Sequence, residues 1–257
     1  MSKVSEQVQN QIRVSDKVVA SARTHGVTVA ELLAARSQEV QGPLTKATKS
    51  SYFAIFEALA DGLSQAAAEL GKAEEDLAAE RADDIPVRAS RDAAASALAM
   101  LLGLLRRTIE DHMGAAALAT YGLSTESPRV PAKLLQYTKT VARLLGEQPA
   151  VVVSPLGSTF DTAVAQQSVI KQCSQLEAAV GDDHREAREL ESALAARDRA
   201  AAAWSDAYQG TAATLEGLYR LAGYRDLAEK VRPTQRKLRG EDEGAEIEGT
   251  EPAPKEG

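Results

Sequence analysis

The sequence predicts an all-α protein, specifically an elongated up-down four-helix bundle built from two long helical hairpins. Two observations predict this fold class. Of the 257 residues 44% are hydrophobic but only 4% are aromatic, so the strong helix formers Ala and Leu supply most of the apolar content. Apolar residues also recur every seven positions over long stretches, which is the spacing that packs helices side by side.

The first hairpin is predicted over about residues 44–121. Its first helix carries two heptad columns, Phe56, Leu63, Leu70, Leu77 and Tyr52, Leu59, Ala66, Ala73. The alanines in the second column favour a close antiparallel partner. The segment Asp83-Asp84-Ile85-Pro86 is predicted to end this helix, because proline lacks the N–H donor and disfavours helix in the residue before it. A second helix then runs to about Tyr121, with columns through Leu98, Leu105 and through Leu102, Ile109.

A shorter helix at 132–146 and a second hairpin at about 159–232 complete the predicted bundle. The short helix places Leu134, Thr138, Val141 and Leu145 on one face. In the second hairpin Asp183 and Arg197 interrupt an apolar column, which indicates a chain reversal near one of them. Composition favours a turn at 181–184, whereas matching the helix lengths of the first hairpin favours 195–198, and both positions stay open.

The sequences of the two halves of the bundle are similar enough to suggest an internal duplication. Residues 64–71 parallel residues 174–181, and Arg91-Asp92 followed by alanines parallels Arg197-Asp198. Duplication is a common origin of paired helical hairpins. The alternative is that alanine-rich helices resemble one another through composition alone.

Three segments are predicted: an N-terminal helical arm at 1–42, the bundle at 43–239, and an acidic tail at 240–257. A capping box at Thr28–Glu31 divides the arm into two helices. Because the arm is thinly apolar, it is expected to dock on a partner rather than on its own bundle. The formal net charge is −7, of which −6 falls in residues 241–257. That composition predicts a disordered segment serving solubility or tethering.

The sequence contains no enzyme signature, and we expect no catalytic residues, no cofactor and no metal. Glycine-rich phosphate loops are absent, and none of the three histidines follows a glutamate by three positions, as di-iron bundles require. His112 fits either a buried proton switch or a bundle-edge histidine bonded to a neighbouring acid. Asp182 and His184 fit a weak metal site or a helix cap. Cys173 lies on an apolar column and is expected to be buried.

Eight residues near the end of the last hairpin are candidate interaction residues. They are four aromatic residues, Trp204, Tyr208, Tyr219 and Tyr224, and four basic residues, Arg232, Arg236, Lys237 and Arg239. The aromatic residues either fill the core or form a protein-binding edge. The basic residues either bind phosphate or an acidic partner, or neutralise the tail beside them and the dipole of the last helix.

The predicted function is that of a non-enzymatic structural or interaction protein acting through helix–helix contacts, with a protein partner or with itself. The alternative is a membrane-active protein that inserts the apolar segment 93–105, although its thirteen residues fall short of the roughly 20 that span a bilayer. Outside the tail the charge is near neutral, so nucleic acid is not an expected partner, and no small-molecule substrate is evident. A single cysteine and the lack of a signal-like N-terminus predict a cytoplasmic protein.

Overall fold

The computed structural model describes residues 5–41, 48–154 and 157–241, and 85% of it is helical. The elements in chain order are α1 (Glu6–Gln41), α2 (Lys49–Met113), α3 (Ala116–Thr120), α4 (Pro131–Glu147), β1 (Val151–Val153), β2 (Thr159–Asp161), α5 (Thr162–Leu221), α6 (Arg225–Val231) and α7 (Gln235–Leu238). The predicted all-α bundle is confirmed. The predicted acidic tail, apart from Gly240 and Glu241, lies outside the described residues.

The chain divides into two compact units, and the helices α2 and α5 run through both. The first unit comprises residues 1–79 and 192–257, and the second comprises residues 80–191. Each unit has its own hydrophobic core.

The first unit packs α1 against the first half of α2 and the last part of α5. The core cluster includes Val18 and Leu33 of α1 and the residues Phe56, Leu63 and Leu70 of the predicted column. Gly26 permits a close approach here, because a Cβ at this position would lie 3.1 Å from the Cβ of Phe56. The N-terminal arm is therefore one continuous helix whose apolar face belongs to the core, and the predicted helix start at Thr28 is wrong.

The second unit packs the last half of α2 against α4 and the first half of α5. Its core is formed by the apolar columns of these helices, Leu98, Leu102, Leu105, Ile109, Leu134, Val141, Leu145, Val169 and Leu176. The predicted helix at 132–146 is confirmed, with all four predicted face residues buried. Between α4 and α5, strand β1 pairs antiparallel with β2, and Val152 lies opposite Phe160.

The predicted helix end at Pro86 is wrong, because α2 continues through it. Pro86 is exposed, so solvent can hydrate the carbonyl that loses its N–H partner. Asp84 and Arg88 bridge the proline through two contacts of 2.9 Å, one from Nε and one from a terminal guanidinium nitrogen. The first hairpin at 44–121 is therefore a single long helix followed by the short α3.

Neither predicted chain reversal in the second hairpin exists, because α5 is continuous from Thr162 to Leu221. The two polar residues that interrupt its apolar column are accommodated by ion pairs to α2. In the second unit Asp183 accepts a hydrogen bond of 3.0 Å from Arg91. In the first unit Arg197 lies 3.8 Å from the carboxylate of the buried Glu74. Charge pairing across two helices thus replaces the turn that the polar residues predicted.

The same two ion pairs bear on the predicted duplication. Arg91 contacts the following residue, Asp92, at 2.8 Å, and Arg197 contacts the following Asp198 at 3.2 Å. Each arginine also reaches an acid on the opposite long helix, within its own unit. The equivalent surroundings agree with duplication, which stays a prediction.

Candidate interaction site

The predicted aromatic interaction residues are mostly core residues. Trp204, Tyr208 and Tyr219 are each at most 1% exposed. The Trp204 and Tyr208 rings stack with centroids 5.4 Å apart, and Tyr219 stacks on Phe56. Tyr224 is half-buried at the margin of the same core. Core filling therefore accounts for the first three, because large aromatic side chains supply apolar area that an alanine-rich bundle lacks.

The four predicted basic residues lie on the segment that contains α6 and α7, and each contacts groups of that segment. Arg232 lies 3.7 Å from Glu229, whereas Arg236 and Arg239 lie 3.9 and 3.8 Å from Glu241. The Lys237 ammonium donates to the carbonyl oxygens of Lys230 and Arg232, at 3.0 and 3.2 Å. These contacts agree with local charge neutralisation and with capping of the last carbonyls of α6.

The structure shows the surroundings of His112, Asp182 and Cys173. The Nδ1 of His112 donates to the Thr108 carbonyl at 2.9 Å, and Nε2 lies 3.1 Å from the Ser158 hydroxyl. Both ring nitrogens are thus engaged, by a carbonyl and a hydroxyl and not by the expected acid. Residues 181–184 lie within α5, so the helix-cap interpretation of Asp182 and His184 is wrong, and Asp182 pairs with Arg185. Burial raises the pKa of the Cys173 thiol, which disfavours a thiolate nucleophile.

A group of three carboxylates is the nearest approach to a cation site in the described part of the chain. Glu80, Glu186 and Glu189 have carboxylate oxygens within 4.8 Å of one another. Desolvation and the neighbouring Glu189 raise the pKa of Glu186, while Arg185 opposes this shift. The guanidinium of Arg185, 4.0 Å from each of Glu186 and Glu189, already supplies positive charge at this group.

An apolar groove lies in the second unit between the last half of α2 and the start of α5. We call it the α2–α5 groove, with a volume of about 380 Å³; its apolar lining residues are Leu101, Leu104, Leu105, Phe160, Val164, Ala165 and Val169. Leu105, Phe160 and Val169 are buried and form its floor. Leu104 and Val164 are 55% and 60% exposed and form its rim.

The groove follows from the sequence of the segment 93–105, which is apolar on more than one helix face. Leu98, Leu102 and Leu105 fall on the face that packs into the core. Met100 and Leu104, one turn apart on another face, are 69% and 55% exposed. A helix that is apolar on most sides is normally covered on most sides. This continuous apolar run was the sequence signal for the groove. The sequence did not distinguish the exposed pair Met100 and Leu104 from the buried residues of the run, and it did not indicate that Val164 of α5 lies beside them.

No helix in the described residues combines the length and the apolarity needed to cross a membrane. Comparison of the chain with protein-family models, with curated proteins and with solved structures returned no match.

Proposed function

We propose that this protein is a non-enzymatic interaction protein that associates with a second copy of itself through the α2–α5 groove. The observation that carries the proposal is the exposed apolar pair Met100 and Leu104 beside a groove with an apolar floor. Exposed apolar surface concentrated in one place is typical of interaction sites, whereas single apolar residues scattered over a surface are not.

The surface has the features of a self-complementary contact. One helix, α2, supplies both a protruding ridge at Met100 and Leu104 and one wall of the groove. Two-fold packing of identical faces therefore inserts each ridge into the groove of the other copy, which is the ridges-into-grooves mode of helix packing. Gly103 is exposed, and a Cβ there would meet nothing within 4 Å, so backbone approach on this side of α2 is unobstructed.

Charge does not oppose association of two copies. The formal net charge of residues 1–240 is −1, because the tail carries most of the negative charge of the chain. Long-range repulsion between the bodies of two copies is accordingly weak.

The test is sedimentation velocity of the full chain over a wide concentration range. The wild type is expected to form a dimer, and the double variant Met100→Glu/Leu104→Glu is expected to stay monomeric. Loss of two central apolar contacts typically costs 2 kcal/mol or more, which weakens the dimer by about 30-fold. The matched control is Ile85→Glu, because Ile85 is on α2 in the same unit and is 69% exposed but is not a groove residue. This variant is expected to dimerise like the wild type.

Two outcomes contradict the proposal. One is a wild-type monomer at every concentration, and the other is a double variant that dimerises as well as the wild type. Circular dichroism verifies that the variants remain helical. A monomeric wild type that releases dye from lipid vesicles, with release abolished in the double variant, favours the membrane-active alternative instead.

A further inference from the structure

An elongated cavity in the first unit combines an apolar floor with a basic rim. It lies between α1 and the α6–α7 segment, has a volume of about 410 Å³, and we call it the α1–α6 cavity. Its lining residues on α1 run from Val14 to His25, which is about 16 Å along the helix axis. The volume lies within the range of roughly 300–1,000 Å³ that is typical of small-molecule sites.

Two hydrogen bonds fix the two sides of the cavity relative to each other. The Arg36 guanidinium donates to the carbonyl of Leu221, and the Gln11 amide donates at 2.9 Å to the carbonyl of Leu238. The segment between these two carbonyls therefore runs back along α1, from the level of Arg36 to the level of Gln11. Since α6 is part of this segment, the cavity is formed before any ligand arrives, which lowers the conformational cost of binding.

The floor of the cavity is apolar and belongs to the core of the first unit. Val14, Val18 and Val231 are buried, and Leu227 is half-buried beside them. The Ser21 hydroxyl also lines the cavity, but it already lies 3.0 Å from the phenol oxygen of Tyr219. An alkyl group placed on this floor is removed from water, and that removal is favourable in proportion to the apolar area buried.

The rim is basic, and one of its lysines is available to a ligand. The charged and titratable residues of the described lining are all basic, namely Lys17, His25, Lys230 and Lys237. Lys17 and Lys237 already have contacts within the chain, so they add positive charge to the rim but are not assigned to a ligand. Within residues 5–41, 48–154 and 157–241 the Lys230 ammonium has neither a hydrogen bond nor an ion pair.

The acid next to Lys230 is held by other cations. The carboxylate of Glu229 lies 2.7 Å from Arg220 and 3.7 Å from Arg232. Lys230 is itself exposed, so its long side chain can place the ammonium at the mouth of the cavity while its stem covers apolar surface. The ligand class that fits is an anion with an apolar chain, because the site offers one available positive charge above an apolar floor.

We infer that the α1–α6 cavity binds a medium-chain aliphatic carboxylate such as octanoate. The alkyl chain lies on the valine floor, and the carboxylate pairs with the Lys230 ammonium. This site is built from the first unit alone, whereas the α2–α5 groove is built from the second. The ligand site and the proposed dimer can therefore fail independently.

The experiment is isothermal titration calorimetry of octanoate into the full chain at low salt concentration. The test variant is Lys230→Gln, and Lys230→Arg restores the charge. The matched control is Arg225→Gln, which removes one positive charge from an exposed position of the same helix that does not line the cavity. All chains also carry Met100→Glu/Leu104→Glu, so that association through the α2–α5 groove does not contribute heat. Circular dichroism verifies that each variant remains helical.

One octanoate is expected to bind per chain. Lys230→Gln should weaken binding about three- to tenfold, between the effects of an exposed ion pair and of a charged hydrogen bond. Lys230→Arg and Arg225→Gln should change the affinity by less than about twofold.

Two further ligands test the two parts of the site separately. Hexanoate should bind about tenfold more weakly than octanoate, because each methylene group buried on the floor changes the affinity about three- to fourfold. Octanol has the alkyl chain without the charge, so it should bind equally to the parent chain and to Lys230→Gln. The difference between octanoate and octanol then measures the coupling between the carboxylate and the lysine.

Three results overturn the inference. The first is the absence of binding heat for octanoate at two temperatures, because burial of apolar surface changes the heat capacity and cannot be silent at both. The second is equal octanoate affinity in the parent chain and in Lys230→Gln. The third is an equal loss of octanoate and octanol affinity in Lys230→Gln, which would mean that the substitution alters the cavity and not a charge pair.

Discussion

Replacing Ser15 by alanine tests the most specific polar contact in the core of the first unit. Ser15 is fully buried; its hydroxyl donates to the Gln11 carbonyl at 3.0 Å and accepts a hydrogen bond of 2.8 Å from Nε1 of Trp204. Because Trp204 is only 1% exposed, water cannot replace the lost acceptor. A buried donor left without a partner costs about 1–3 kcal/mol.

The expected net loss in the free energy of unfolding for Ser15→Ala is about 1–2 kcal/mol, because the higher helix propensity of alanine offsets up to about 0.5 kcal/mol of the cost of the lost hydrogen bond. Urea unfolding followed by tryptophan fluorescence measures the loss directly, because Trp204 is the only tryptophan in the chain. The matched control is Thr214→Ala, which removes an exposed hydroxyl bonded to the Gly210 carbonyl four residues earlier on α5. This control is expected to be neutral or slightly stabilising.

A double-mutant cycle with Trp204→Phe, followed by circular dichroism, separates the hydrogen bond from other effects. On the phenylalanine background Ser15→Ala is expected to cost less than about 0.5 kcal/mol, since no indole N–H is left to satisfy. An equal cost on both backgrounds would refute the assignment of the energy to this hydrogen bond. A single variant as stable as the wild type would refute it as well.

Three further predictions follow from the helices and the buried titratable groups. Gly181→Ala is expected to raise the free energy of unfolding by about 0.5–1 kcal/mol in urea titrations, because Gly181 is exposed within α5 and a Cβ there meets nothing within 4 Å; destabilisation would instead indicate a turn. The Cys173 thiol, 5% exposed and with a pKa raised by burial, should react with a disulfide reagent far more slowly than free glutathione, and equal rates would contradict its burial. Burial also raises the pKa of Tyr219 above its ordinary value of 10.0, so its contribution to stability is complete below pH 10 and declines as the pH rises further. The stability lost between pH 8 and pH 11 should therefore be smaller in Tyr219→Phe, and an unchanged loss would exclude this residue as a source.

The heptad columns carried most of the information needed to predict the fold. Phe56, Leu63, Leu70 and Leu77 are at most 1% exposed, as their spacing predicted. These columns are local in sequence, and packing of such a face is what stabilises a helix in a protein. The helix at 132–146 was predictable for the same reason.

The helix ends were less predictable, because they depend on residues distant in sequence. Pro86 and the Asp183 interruption are both local signals against a helix, and the signal at Asp183 is opposed by a contact that the local sequence does not contain. Asp183 pairs with Arg91, ninety-two positions away, and Glu74 forms a similar long-range ion pair with Arg197. Tertiary pairing of this kind overrides local propensity.

The candidate sites were predictable to a smaller extent. The apolar segment 93–105 contained the ridge of the α2–α5 groove, but Val164 on the opposite wall comes from another helix. Lys17 and Lys230 line one cavity between α1 and the α6–α7 segment, but they are more than two hundred residues apart, and the sequence contains no periodicity that relates them. The aromatic residues were conspicuous in the sequence because they are large, and that same property placed most of them in the core.

The division of the chain has a consequence for the order of folding during synthesis. The second unit is a single contiguous segment, residues 80–191, inserted between the two parts of the first unit. A ribosome therefore synthesises every residue of the second unit before it adds Trp204, Tyr208 and Tyr219, on which α1 packs. Until those residues emerge, the apolar face of α1 has no complete core to join, and it is during this interval that a nascent chain is exposed to chaperones and to misassembly.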